Sequence, residues 1–183
     1  MKRLLVLSFV FGYMVFFASG LILAARDSTV ADKEKQEVEG TIARFKEKDP
    51  SMEKFFDNSY GYAVFAEVAK AAFIAGFTEG EGLVYEKGEI VGRVTLNQAT
   101  IGLQAGAQGY SEIIFFENKA ALDGLKSNEL KLSEQVSAVV VTAGASAQAD
   151  YAEGVAVFTM PKGGLMLEAS IGGQQFKFEP LEQ

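Results

Sequence analysis

Apolar positions fall into three textures along the chain. From Leu4 to Ala25 an uncharged, largely apolar run follows the two cations Lys2 and Arg3. A short basic stretch before an apolar one is the pattern of an export leader. The run is 22 residues long (25 − 4 + 1), and ~20 suffice to span a bilayer. Small-x-small patterns at Ala18-Ser19-Gly20 and Leu23-Ala24-Ala25 offer two cleavage points. Residues 1–25 are therefore expected to be a removed leader, with an uncleaved anchor as the alternative. The second texture is helical. Residues 26–50 carry six basic and seven acidic residues, and Val38, Ile42 and Phe45 recur at i, i+4 and i+7. That spacing predicts an amphipathic helix over roughly 30–48. Asp49-Pro50 then reads as a cap followed by proline at the first helical position. A second short helix through Met52, Phe55 and Phe56 is expected to close at Asn58-Ser59.

The third texture begins at Tyr60. Short β-branched and aromatic runs alternate with glycine, and 17 of the 19 glycines lie at or beyond residue 40. Predicted strands are Ala63–Val68, Ala71–Phe77, Leu83–Glu86, Ile90–Leu96, Gly102–Gln108, Ser111–Phe116, Ser137–Ala143, Gly154–Met160, Leu165–Ile171 and Gln175–Phe178. A turn is expected at Glu86-Lys87-Gly88-Glu89. A helix capped by Asn118 is expected over Lys119–Lys126, with a further turn near Leu130–Gln135. No long crossover helices separate the strands, so the sheet should be mainly antiparallel. In Gly102–Gln108 glycines and glutamines alternate with Leu103, Ala105 and Ala107, and such small residues permit tight curvature. The expected fold is α+β: N-terminal helices followed by a strongly curved, mainly antiparallel, glycine-rich sheet approaching a barrel. The expected organisation is a leader or anchor over 1–25 and one domain over 26–183. Within that domain 26–58 is a helical lead-in and 59–183 a sheet-rich core.

The chain also echoes itself. Gly61-Tyr62-Ala63-Val64-Phe65 precedes Lys70-Ala71-Ala72-Phe73-Ile74, and Gly154-Val155-Ala156-Val157-Phe158 precedes Lys162-Gly163-Gly164-Leu165-Met166. Either two hairpins meet similar local demands, or one strand–turn–strand unit is duplicated. Duplication would put Phe65 and Phe158, both buried, at matching places, and Lys70 and Lys162 at matching turns.

Composition removes much chemistry. Cysteine and histidine are absent. That excludes Cys and Ser–His–Asp nucleophile systems, zinc held by His or Cys, haem held by either, and disulfides. No nucleotide-binding glycine motif and no calcium loop stands in the sequence, so no cofactor and no metal is expected. The formal charge is −7, which disfavours nucleic acid as a partner. Carboxylates alone can perform acid–base work, and Glu112, Glu117 and Glu168 sit beside apolar runs. Nothing in the sequence fixes their separation, and no enzyme activity is expected.

Three ordered segments resemble the SYLF domain family. They are Tyr60-Gly61-Tyr62-Ala63-Val64-Phe65 continuing through Val68, Lys70, Phe73, Gly76, Gly80 and Gly82; Gly102-x-Gln104-x-Gly106-x-Gln108 followed by Ile113-Ile114-Phe115-Phe116; and Val155–Thr159, Lys162–Met166 and Glu168–Gln174. The resemblance runs from about residue 37 to 180. The chain departs from the family pattern at Ala66, commonly proline, at Ala72, often glycine, and at Gln175, commonly lysine. The resemblance implies a non-catalytic, lipid-binding module, in some members for phosphoinositides and in some fungal members with actin. It implies an exported, periplasmic or envelope-associated protein whose partner class is membrane lipid. Lys70 and Lys162, at matching places in the echo, and Lys177, just past the last glycine pair, are the candidate cations for an anionic headgroup. Without the resemblance, they are solvated turn and edge lysines that deter edge-to-edge pairing. After residue 50 only nine basic residues face 17 acidic ones, so apolar contact would have to supply part of any affinity. The alternative function is a structural or interaction module of the envelope with no small ligand.

Overall fold

Helix periodicity, then a cap, shapes the first described residues. The structure is a computed structural model and describes residues 32–72, 75–101, 106–133, 136–162 and 173–181. The leader-like run, the first part of the strand predicted at Gly102–Gln108, the strand predicted at Leu165–Ile171 and the Gly163-Gly164 pair lie outside them. The chain divides into two units, Met1–Glu37 and Val38–Gln183, and the second carries the whole sheet. Helix α1 covers residues 32–48 and buries Val38, Thr41 and Phe45 along one stripe. It ends at Asp49, whose extended backbone and carboxylate cap a 3-10 turn, Pro50–Met52, through the Ser51 amide at 3.1 Å. That turn runs into α2, Glu53–Asn58.

Among the described residues the strands are fewer and longer than the glycine pattern predicts. They are β1 Gly61–Ala72, β2 Ala75–Glu86, β3 Glu89–Ile101, β4 Gly106–Phe116, β5 Ala138–Val140, β6 Val155–Pro161 and β7 Gln175–Pro180, with helix α3, Lys119–Lys126, after β4. The expected strand Ala71–Phe77 instead covers the end of β1 and the start of β2. Gly80 and Gly82, which resemble breaks, lie inside β2. Their role is space: a methyl on Gly82 would collide with the Val64 carbonyl and the Phe65 ring. The turn at Lys87-Gly88 is as expected. Both residues take positive φ, 52° and 85°, which is the two-residue hairpin turn whose twist matches its strands.

Among the described residues the sheet order is β5-β6-β4-β1-β2-β3-β7. All pairings are antiparallel except β5 with β6. Ala66 is the extra residue of a bulge in β1. Ser111 Oγ donates to its carbonyl at 2.8 Å. The resembled pattern commonly carries proline there, and a bulge is one of the few sheet positions where a proline is tolerated.

The sheet is curled strongly. β4 and β7 are four strand steps apart, ~19 Å in a flat sheet at ~4.8 Å per step. Yet Gln174, just before β7, donates a hydrogen bond to Glu112 of β4 at 3.2 Å. Phe65 of β1 and Phe176 of β7, three steps apart, have ring centroids 6.2 Å apart. Side chains cannot cross such gaps unless the far edges curl toward each other. Among the described residues the two edge strands do not pair, and the described sheet approaches a barrel.

Each face has its own core. The inner, concave face holds Ala63, Phe65, Val68, Val84, Leu96, Ile114, Phe116, Val157 and Phe176, packed with Leu122 and Leu125 of α3. The outer face holds Val64, Leu83, Tyr85, Ile113, Phe115 and Phe158 under Val38, Phe45, Met52 and Phe55. Phe55 stacks edge-on with Phe158 at 4.8 Å and lies 5.5 Å from Phe115.

The echo is therefore out of step. Phe65 and Phe158 are both fully buried, as expected, but in different cores. β1 and β6 flank β4, and Ile113 stands beside Val64 on one side and Phe158 on the other. The second copy is shifted by one residue against the first. A one-residue shift turns every side chain to the opposite face. The expectation of matching places fails for that reason.

Candidate functional site

Strand ends, rather than helices, gather the residues singled out from the sequence. Lys70 is half-buried near the end of β1, opposite Thr78 of β2 and Gln108 of β4. By strand alternation it shares the inner face with Val68. Lys162 follows β6 and its amide donates to the Gly109 carbonyl at 2.9 Å; Gly109 in turn stands opposite Ala69. The two lysines thus lie at the same end of the sheet. They flank it from opposite faces, because Lys162 Nζ reaches Glu67, on the outer side of β1, at 3.0 Å. Lys177 is on the edge strand β7, opposite Thr95, and pairs with Glu179 at 2.7 Å. The Glu179 partnership raises its pKa above the ordinary lysine value. Both pairs are exposed, and solvent screens such pairs to little net stabilisation. No described residue forms an ion pair with Lys70.

The same end carries a feature that sequence reasoning missed. Phe77 of β2 is 52% exposed and stands opposite Ala71. Its strand alternation, Phe77-Glu79-Glu81, places an aromatic ring in an otherwise acidic, solvated row. That pattern was the signal available for finding it.

The inner face changes character along its length. Near the Glu86–Glu89 turn it is apolar. Toward the other end it carries Glu112, Tyr110, Thr159, Thr78, Gln98 and Gln174, all buried. Glu112 is opposite Phe65 on one side and Thr159 on the other. Burial pushes its carboxyl up to about 7, against a smaller lowering by the Gln174 amide. Burial, and next the Glu112 charge, raise the Tyr110 phenol far above its ordinary value, while a hydrogen bond to Gln174 lowers it slightly. Of the three carboxylates weighed for acid–base work, Glu112 is sealed from solvent, Glu117 is exposed, and Glu168 lies outside the described residues. Among the described residues no cluster of three or more acidic side chains could hold a metal ion. No described helix is long and apolar enough to cross a membrane.

Comparisons with known proteins bear on the same strands. A family model described as Las17-binding protein actin regulator, Ysc84, matches residues 97–179, from the second half of β3 through β7. Beta cell expansion factor A of Aeromonas veronii is 30% identical over 138 residues, covering 74% of this chain. The chain spans about half the length of that curated relative, 52%. The matched segment includes the Ile113–Phe116, Val155–Thr159 and Gln174 positions on which the sequence resemblance rests, and over residues 97–179 the chain is similar to the Ysc84, or SYLF, family.

Proposed function

We propose that this domain binds lipid without catalysing a reaction, docking end-on through the end of the sheet where β1 passes to β2. The observation that carries the reading is Phe77, a large ring 52% exposed at that end, with Lys70 and Lys162 flanking it from the two faces. Apolar rings such as phenylalanine bury at the headgroup–acyl boundary, and each cation near an anionic leaflet contributes ~1 kcal/mol. An end-on approach lets lysines on opposite faces both reach headgroups. It also keeps the exposed Glu67, Glu79 and Glu81 beside the leaflet rather than beneath it. Export, on the strength of the Lys2–Ala25 pattern, belongs to the same proposal.

Flotation with zwitterionic vesicles, and with vesicles also containing an anionic lipid, tests this. Phe77→Ser is expected to weaken binding to both by about tenfold or more, since burying a phenylalanine contributes ~1.5–3 kcal/mol. Lys70→Gln should weaken only the anionic case, by a few-fold, and salt should have a modest effect. Melting temperatures should stay close to the parent's. A wild type that ignores both vesicle types would overturn the proposal. One observation, the family description naming a Las17-binding actin regulator, favours a protein-binding surface instead. That reading takes over if vesicles are ignored.

A further inference from the structure

Glu112 is the one acidic side chain buried on the described inner face, and one of its two oxygens has no hydrogen-bond partner. Gln174 Nε2 donates to Glu112 Oε2 at 3.2 Å. Glu112 Oε1 and Gln174 Oε1 are both fully buried and neither has a hydrogen-bond partner. Two acceptor oxygens belonging to the same hydrogen-bonded pair thus lack a proton between them. A buried acceptor left unsatisfied costs ~1–3 kcal/mol. One proton on Glu112 Oε1 removes both deficits: the acid O–H donates to Gln174 Oε1 while the amide N–H donates to Glu112 Oε2. Carboxylic acid and carboxamide then make a reciprocal two-bond pair.

The position of the pair gives it a consequence. Glu112 is in β4 and Gln174 precedes β7, four strand steps away along the sheet. Gly173, next to Gln174, donates its amide to the Leu132 carbonyl at 2.9 Å, and Lys131 bridges to Gln175. We propose that the protonated acid–amide pair Glu112–Gln174 is a clasp that holds the curled sheet shut across its concave face, and that deprotonation of Glu112 loosens the β7 edge.

The groups facing Glu112 support a proton as the controlling species. Tyr110, two residues away on the same strand, is the titratable group whose phenol its charge raises. Phe65 of β1, Val157 of β6, Phe176 of β7 and the packed Leu132 and Val136 bring no charge. Lys70, the cation on that face of β1, stands opposite Gln108, four residues further along β4. The carboxyl's raised value, about 7, lies above the ordinary glutamate value of ~4.3. A group whose acid form is favoured by folding contributes its full stabilisation below the unfolded value, and loses it as pH rises to about 7.

The test compares wild type with Glu112→Gln, whose amide mimics the protonated acid. Wild-type melting temperature should fall from pH 5 to pH 8 more steeply than the variant's, and the variant should be the more stable of the two at pH 8. Exchange of the Phe176 and Phe178 amides should accelerate with pH beyond its intrinsic rate in wild type only. The infrared spectrum of wild type near pH 6 should show the carbonyl band of an unhydrated carboxylic acid, which disappears by pH 9. That last measurement needs no variant and stands even if Glu112→Gln fails to fold. Parallel melting curves for the two proteins, or no acid carbonyl band at pH 6, would overturn the clasp.

Discussion

Phe65→Ala should lower the stability of the domain by about 3–5 kcal/mol, and Phe158→Ala should do the same. Both rings are fully buried, so truncation removes transfer free energy and leaves a void that rigid strands cannot collapse into. The two losses arise in different places. Phe65 packs on the concave side, against Phe176, whereas Phe158 lies against Phe55 and Phe115 beneath the helices. With total stability of ~5–15 kcal/mol typical of a domain, the double alanine variant should be largely unfolded. The milder pair Phe65→Leu and Phe158→Leu, each costing roughly 1 kcal/mol, should add within a few tenths because the residues share no core. Urea titration measures all of these. A single alanine variant within about 1 kcal/mol of the parent would contradict the packing described, and strong coupling between the leucine variants would contradict the two-core arrangement.

The second large effect belongs to Asp49. Its carboxylate accepts from the Ser51 amide at 3.1 Å, the Ser51 hydroxyl at 2.6 Å, the Gly144 amide at 3.2 Å and the Ser146 amide at 2.7 Å. Burial works against the charged form, but the hydrogen bonds from Ser51 and Ser146 outweigh it and hold the acid well below its ordinary value. Asp49→Ala leaves the buried Ser146 amide unsatisfied and removes the cap of the Pro50 turn. The expected loss is roughly 2–4 kcal/mol. Asp49→Asn keeps the shape and one acceptor oxygen, so it should cost less. The depressed acid contributes stability that is present above the ordinary aspartate value of ~3.9 and is lost as pH falls below it. The parent should therefore lose stability below pH ~4 more steeply than Asp49→Asn. Equal acid limbs for the two proteins would show that the charge at Asp49 contributes nothing.

Local signals in the chain were legible because their causes are local. The i, i+4, i+7 stripe of Val38, Ile42 and Phe45, the Asp49-Pro50 cap, the Asn118 cap of α3 and the Lys87-Gly88 turn each depend on residues a few places apart. Strand lengths were less legible, since glycine in a strand and glycine in a break look alike. Only the Val64 backbone beneath Gly82 shows which is meant. The face of Phe158 was illegible because β4, not the Gly154–Phe158 motif itself, sets the register. The candidate site divides the same way. Lys70 could be found from the echo and the resemblance. The partner that occupies Lys162 is 95 residues distant, and the Glu112–Gln174 pair spans 62. A motif has no means of reporting what a curled sheet brings against it.

The junction at Asp49 also bears on the order of folding. The β1–β2 and β2–β3 hairpins close short loops and can form as the chain lengthens. The carboxylate that ends α1 finds its partner Ser146 only 97 residues later. Until that segment exists, the outer core lacks Phe158, and the helices have only a partial surface to rest on. Distant closures of this kind slow folding, because the entropy of bringing the ends together is spent before the contact forms. Refolding should accordingly show early hairpin protection and late burial of Phe55. A chain ending before Val155 should keep its N-terminal helices undocked.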